Sequence, residues 1–187
     1  PETSAIVVGY GRFGQTVAQM LMAKGIAVTL IDSKPDQIER SGAFGMKVYY
    51  ADGTRLDLPR SAGAAEARAL LFCQDGNRLT KARLEPIMEA FPQAAVFVRA
   101  FDRKHIMDLD GLDLAGTYRE VFESAVIMGR EALGRFNLSD EEVMRIERAY
   151  RDRDRERLEG QSKSGDLHTL KERMFRPGNP LQDGDAA

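Results

Sequence analysis

Gly9-Tyr10-Gly11-Arg12-Phe13-Gly14 is the stretch on which the fold turns. It follows the apolar run Ala5-Ile6-Val7-Val8, which reads as a strand buried on both faces. It leads into Phe13, Val17, Met20 and Leu21, which recur at helical spacing. Between a strand and a helix a G-x-G-x-x-G word carries weight, because each glycine then has its own task. Gly9 permits the tight turn, Gly11 lets backbone approach a phosphate, and Gly14 allows the helix to pack closely on the strand. The unpaired N–H groups at the helix start attract an anion. Tyr10 and Phe13 complete the turn, and Arg12 is placed either to pair with phosphate or to project towards a second subunit.

Outward from this turn, strands and helices alternate. The first helix ends at Gly25, a glycine where a left-handed C-terminal residue is expected. Strands are predicted at 27–31, 47–50, 69–73 and 95–98, with helices at about 35–40, 55–62, 79–90 and 102–109. Pro35 opens the second helix, Pro59 weakens the third and Pro86 bends the fourth. Such alternation with short connections predicts the α/β class, a Rossmann-like doubly wound parallel sheet whose ligand lies beyond the strand C-termini, where strand order reverses. After Gly111 the pattern changes to a short strand near 117–119 and then helices at about 122–136 and 139–158, a C-terminal helical appendage. Ser139 with Glu142 three residues on is a capping-box pattern that marks the start of the last helix. The expected organisation is a nucleotide-binding unit over 4–120, a helical dimerisation or peripheral segment over 121–159, and a flexible tail over 160–187, where apolar residues are few.

Further candidate site residues follow from position. Asp32 and Ser33 close the second strand, and Asp32 stands where an acid hydrogen-bonds ribose hydroxyls. Its charge opposes a 2′-phosphate, which favours AMP or NAD(H) over NADP(H). Asp52-Gly53-Thr54 follows the third strand at the same sheet edge, within reach of an adenine amino group or ribose; Thr54 serves equally as a helix N-cap. Asp75 after the fourth strand, and Arg99, Arg103 and His105 after the fifth, are expected at that edge too. Cys73, in an apolar strand, reads as a small inert hydrophobe. The sign-alternating run 151–157 reads as a solvated helix face.

Composition narrows the classes. The 187 residues are 43% hydrophobic and 30% charged with a net charge of −2, which describes a globular protein without the basic field that nucleic acid or an anionic membrane would call for. One cysteine excludes an internal disulfide and a Cys-based zinc site and fits a reducing compartment, the cytosol. No stretch approaches the roughly 18 apolar residues of a membrane span. The start, Pro1-Glu2-Thr3-Ser4, reads as the cut edge of a longer chain. No H-E-x-x-H, G-x-S-x-G or Walker A pattern occurs, and no second domain offers a hydride-accepting pocket, so an enzyme is not expected.

Several words together resemble the KTN (RCK-type) regulatory domains of glutathione-gated potassium efflux antiporters of the Kef type. They are residues 9–15, Ile31-Asp32 with Pro35-Asp36, the segment 44–58, Val98-Arg99-Ala100 and Arg119-Glu120-Val121-Phe122-Glu123-Ser124. The chain departs from the family pattern at Ala51-Asp52-Gly53 and Gln74-Asp75-Gly76, and its helices after the fifth strand and at the end differ where glutathione contacts are expected. The resemblance implies a homodimeric domain on the cytoplasmic face of the inner membrane, joined to an N-terminal membrane antiporter domain of the same polypeptide. It further implies AMP or NAD(H) in each Rossmann unit, glutathione or its adducts near the dimer interface, and in some members an ancillary quinone-reductase-like subunit. The alternatives are a regulatory domain of another potassium channel or uptake system, and an NAD-dependent oxidoreductase.

Overall fold

The fold is that of a computed structural model that describes residues 4–34, 36, 46–55 and 57–164. Strand β1 (Ala5–Val8) is buried at every position, as is β2 (Val28–Asp32), so neither can be an edge or a one-sided strand. They lie inside a six-stranded, wholly parallel sheet of order β3-β2-β1-β4-β5-β6, completed by β3 (Lys47–Tyr50), β4 (Ala69–Phe72), β5 (Ala95–Ala100) and β6 (Gly116–Arg119). The order is that of the doubly wound dinucleotide fold expected from the sequence. β1 sits beside β2 on one flank, with Val8 opposite Ile31, and beside β4 on the other, with Val8 opposite Phe72.

Alternation along the strands sends side chains to two apolar layers. Ile6, Val8, Leu70, Phe72, Val96 and Val98 join Leu84 and Ile87 of α3 (Lys81–Ala90) on one face. Val7, Leu30 and Cys73 join Ala18, Val17 and Leu21 of α1 (Arg12–Ala23) on the other. Helix α1 ends at Ala23 with Lys24 as its C-cap, and Gly25 takes φ +80° with its N–H donating to the Met22 carbonyl, the glycine stop the sequence marks. Two short helices, α2 (Asp57–Ser61) and α4 (Arg103–Asp108), complete this part. The predicted helix at 35–40 lies outside the described residues, Asp36 apart. Strand β5 runs two residues beyond its predicted end, and β6 joins the sheet as a sixth strand, paired to β5 from Phe97–Gly116 to Ala100–Arg119.

The chain divides into two compact units, Pro1–Glu120 and Val121–Ala187. In the second, α5 (Phe122–Leu133) and α6 (Asp140–Ser164) are linked by a turn in which Asn137 adopts φ +55°, a conformation asparagine tolerates. The capping box forms in full. The Ser139 amide donates to Glu142 Oε2 at 2.8 Å and the Glu142 amide donates to Ser139 Oγ at 3.2 Å. Arg151 grips Glu123 with both terminal nitrogens, at 2.9 and 2.8 Å, and packs over the Phe122 ring, which itself stacks on Tyr150. Helix α6 continues through Ser164, past the predicted stop at 158, because Gly160 lowers helix propensity without terminating the helix.

Two outcomes test this reading. A Cβ on Gly14 would fall 1.9 Å from the Gly9 carbonyl oxygen and 3.3 Å from Cys73 Cβ. Gly14→Ala should therefore lower unfolding free energy in urea by about 1–3 kcal/mol or more; an unchanged midpoint would contradict the packing. The Ser139 hydrogen bonds, the amide first, hold the Glu142 carboxyl below its ordinary value of 4.5. A carboxyl so lowered contributes stability above its unfolded pKa that is lost as pH falls through the folded one. An NMR titration should place Glu142 below the ordinary range, and Ser139→Ala, which removes the hydroxyl but keeps the amide, should raise it only part of the way back; an ordinary midpoint in the parent chain would refute the box.

Candidate functional site

Strand order reverses at β1, whose neighbours lead to β3 on one side and to β6 on the other, so a crevice opens at its C-terminal end. The glycine turn occupies that end. Gly9 takes φ +89° and its N–H donates to the Ile31 carbonyl at 2.8 Å. A Cβ there would meet the Gln74 backbone nitrogen at 2.6 Å, so the turn presses directly against the loop after β4. Gly11 is the N-cap of α1, with no side chain capping it and no acid in the first turn. The N–H groups of residues 11–14 are those a helix leaves without intrahelical acceptors, and they carry the positive end of its dipole.

Asp32 is 6% exposed and is already engaged. Its Oδ2 accepts from the Tyr10 amide at 2.6 Å and its Oδ1 from the Lys34 amide at 2.7 Å. A carboxylate has about four acceptor positions, so two remain for a ligand's hydroxyls. Ser33 beside it is exposed. Gly53 is buried against the ends of β1 and β2: a Cβ would lie 2.6 Å from Val8 Cγ1 and 3.0 Å from Ile31 Cγ2. Asp52 is exposed, with Oδ1 accepting from the Thr54 hydroxyl at 2.6 Å and amide at 3.0 Å. The hydroxyl bond lowers the Asp52 pKa, and the Thr54 amide, Arg83 and Arg55 add to that.

The structure thus brings residues 9–14, 32–33 and 52–54 to one edge. Tyr10 contributes only backbone there, since its side chain is 1% exposed in the core beneath the turn. Arg12 is exposed at the mouth, and Asp75 is exposed in the loop after β4. Arg99 does not face open solvent: its guanidinium stacks 4.8 Å from the Phe13 ring centroid, donates to the Cys73 carbonyl at 3.2 Å and pairs with Glu120 at 2.7 Å. His105, expected at the ligand edge, is instead 3% exposed. Its Nδ1 accepts from the Phe101 amide at 3.0 Å, and its Nε2 lies 2.6 Å from the Leu79 carbonyl, so both ring nitrogens are engaged by backbone. The α4 N-cap, Asp102, turns that helix inward and carries His105 with it. Burial pushes the Cys73 thiol up to about 12, in keeping with an inert side chain.

Sequence reasoning missed Arg83, whose guanidinium donates to Thr54 Oγ1 at 2.8 Å and reaches Asp52 at 3.4 Å. It also missed Glu120 as the partner of Arg99. Both pairs join segments at least 21 residues apart, and no local pattern announces them.

Residues 5–117 match the TrkA-N domain family. The chain belongs to that family. This TrkA-N domain is 32% identical over 176 residues, 94% of the chain, to a glutathione-regulated potassium-efflux system protein of Haemophilus influenzae. It is 41% identical over 128 residues, 68% of the chain, to the efflux protein KefC of Salmonella arizonae. It spans 28% and 21% of those proteins' lengths. Among solved structures, the Kef C-terminal domain of Shewanella denitrificans in its AMP-bound form superposes with a TM-score of 0.73 at 32% identity, covering 86% of this chain and 98% of that one. The TrkA-N domain is therefore a Kef-type homologue over most of its length, and the KTN resemblance and the doubly wound fold are both borne out.

Proposed function

We propose that this chain is the ligand-sensing regulatory domain of a potassium efflux antiporter and that its crevice binds AMP or NAD(H). The observation that carries the proposal is the uncapped, acid-free start of α1 set beside the Asp32 carboxylate. The ligand's phosphate sits on the N–H groups of Gly11, Arg12, Phe13 and Gly14, where backbone donors and helix dipole both favour an anion. Its ribose hydroxyls donate to the remaining acceptor positions of Asp32, with Ser33 at hand, and its adenine lies over Gly53 beside Asp52 and Thr54. Arg12 meets the phosphate or a second subunit at the mouth. Asp75 and Arg99 bound the crevice on the β4–β5 side. The AMP-bound Kef domain, similar over nearly its whole length, supports this ligand class.

The chain binds its nucleotide without turning it over. His105, the one histidine among the described residues, has both ring nitrogens bonded to backbone and is unsuited to act as a base. Two copies associate through the helical unit. There α5 buries none of its residues, while Ile127 is 43% and Met128 76% exposed, and an apolar groove of about 400 Å³ runs between α5 and α6. No described helix is long and apolar enough to cross a membrane. The membrane part is an N-terminal antiporter domain of the same polypeptide, with this domain on its cytoplasmic face. Glutathione or its adducts act as a second ligand, and an ancillary quinone-reductase-like subunit is a further partner; the description of the efflux relatives supports the glutathione reading.

Calorimetry with AMP, NADH and ATP tests the core of this. AMP or NADH should bind one per chain, and Asp32→Ala should weaken that binding by roughly 10- to 100-fold, about what a charge-assisted hydrogen bond supplies. No heat from any of the three would overturn the reading.

A further inference from the structure

The two halves of the crevice differ in what fills them. A doubly wound sheet offers one mononucleotide half over β1–β3 and a second over β4–β6, and a dinucleotide lies across both. Over the first half the groups are open: Ser33 and Asp52 are exposed, and Gly53 adds no side chain. Over the second, Phe13 leans from the first turn of α1 and the Arg99 guanidinium lies on its ring. Arg99 is fixed at both ends, donating to the Cys73 carbonyl at the tip of β4 and pairing at 2.7 Å with Glu120 just beyond β6. The Glu120 amide in turn donates to the Ala100 carbonyl at 2.9 Å, so the backbone carrying the carboxylate is also pinned. The two side chains are 13% and 23% exposed. Arg99 Nε and Glu120 Oε2 are both screened from solvent by the side chains packed around them.

We propose that the Phe13–Arg99–Glu120 stack makes this crevice selective for a mononucleotide by occupying the half that the second nucleoside of NAD(H) would need. The inference rests on the nucleotide reading above and adds its specificity. A dinucleotide must displace a part-buried ion pair and a cation–π contact, whereas AMP leaves both intact. A dinucleotide has to move these interlocked side chains out of space they fill, and that cost falls on NADH alone.

Competition calorimetry on the chain decides it. The parent protein should bind AMP about tenfold or more tighter than NADH. Opening the niche without stranding a charge, with the double variant Arg99→Ala, Glu120→Ala, should reduce that ratio about tenfold. The volume-keeping variant Arg99→Met, Glu120→Gln should retain most of it, since filled space and not charge is the barrier. A general loss of stability would weaken both ligands alike and leave the ratio unmoved, so the ratio reports selectivity and not folding. NADH binding as tightly as AMP in the parent, or losing more than AMP in the alanine variant, would overturn the proposal. Loss of selectivity in the volume-keeping variant equal to that in the alanine variant would overturn it too. If neither nucleotide binds the parent chain, the underlying reading fails and takes this one with it.

Discussion

The hydrogen bond from the Tyr10 amide to Asp32 Oδ2, at 2.6 Å and almost out of reach of solvent, ties the glycine turn of one strand to the tip of the next. A buried N–H without an acceptor costs about 1–3 kcal/mol, so the turn is held in place by the Asp32 carboxylate. The bond from Gly9 N–H to the Ile31 carbonyl and the contact of Gly9 with Gln74 close the turn on its other sides. With the backbone so constrained, the start of α1 cannot drift, and its free donors keep a fixed direction relative to Asp32. The same carboxylate keeps acceptor positions beyond its bonds to the Tyr10 and Lys34 amides.

From that constraint follows an asymmetry between the two halves of the sheet edge. Among the described residues on the β1–β3 side, polarity comes from Asp32 and from Asp52, which Thr54 and Arg83 contact. On the β4–β6 side long side chains interlock above the strand ends. Binding in the first half recruits groups already in position, which keeps the ordering cost of a ligand low. His105 is buried with both ring nitrogens bonded to backbone, and burial pushes the Cys73 thiol up.

How much of this was legible follows from the range of each interaction. β1, the turn and α1 could be read from residues 5–21 because apolar runs, helical period and glycine placement are local signals. The capping box at Ser139 and Glu142 was readable for the same reason. Strand β6 was harder, since its four residues, Gly-Thr-Tyr-Arg, carry no apolar run and take their place from pairing with β5. The inward turn of His105 depends on an N-cap and on a carbonyl 26 residues away. The Arg99–Glu120 and Arg83–Asp52 pairs join distant segments, and only the folded sheet sets their partners. The spacing of Asp32 proposes it as a ligand acid but does not reveal its hold on Tyr10, because spacing shows what an acid can reach and not what it already touches.

The central claim is that backbone amides at the start of α1, ordered by Asp32, hold the phosphate of an adenine nucleotide. An ¹H–¹⁵N NMR titration of the chain with AMP addresses those amides one by one. The account predicts that the largest shifts fall on Gly11, Arg12, Phe13 and Gly14, with a second group at Ser33 and at Asp52 to Thr54. Shifts confined to other surfaces, or none at saturating AMP, would contradict it.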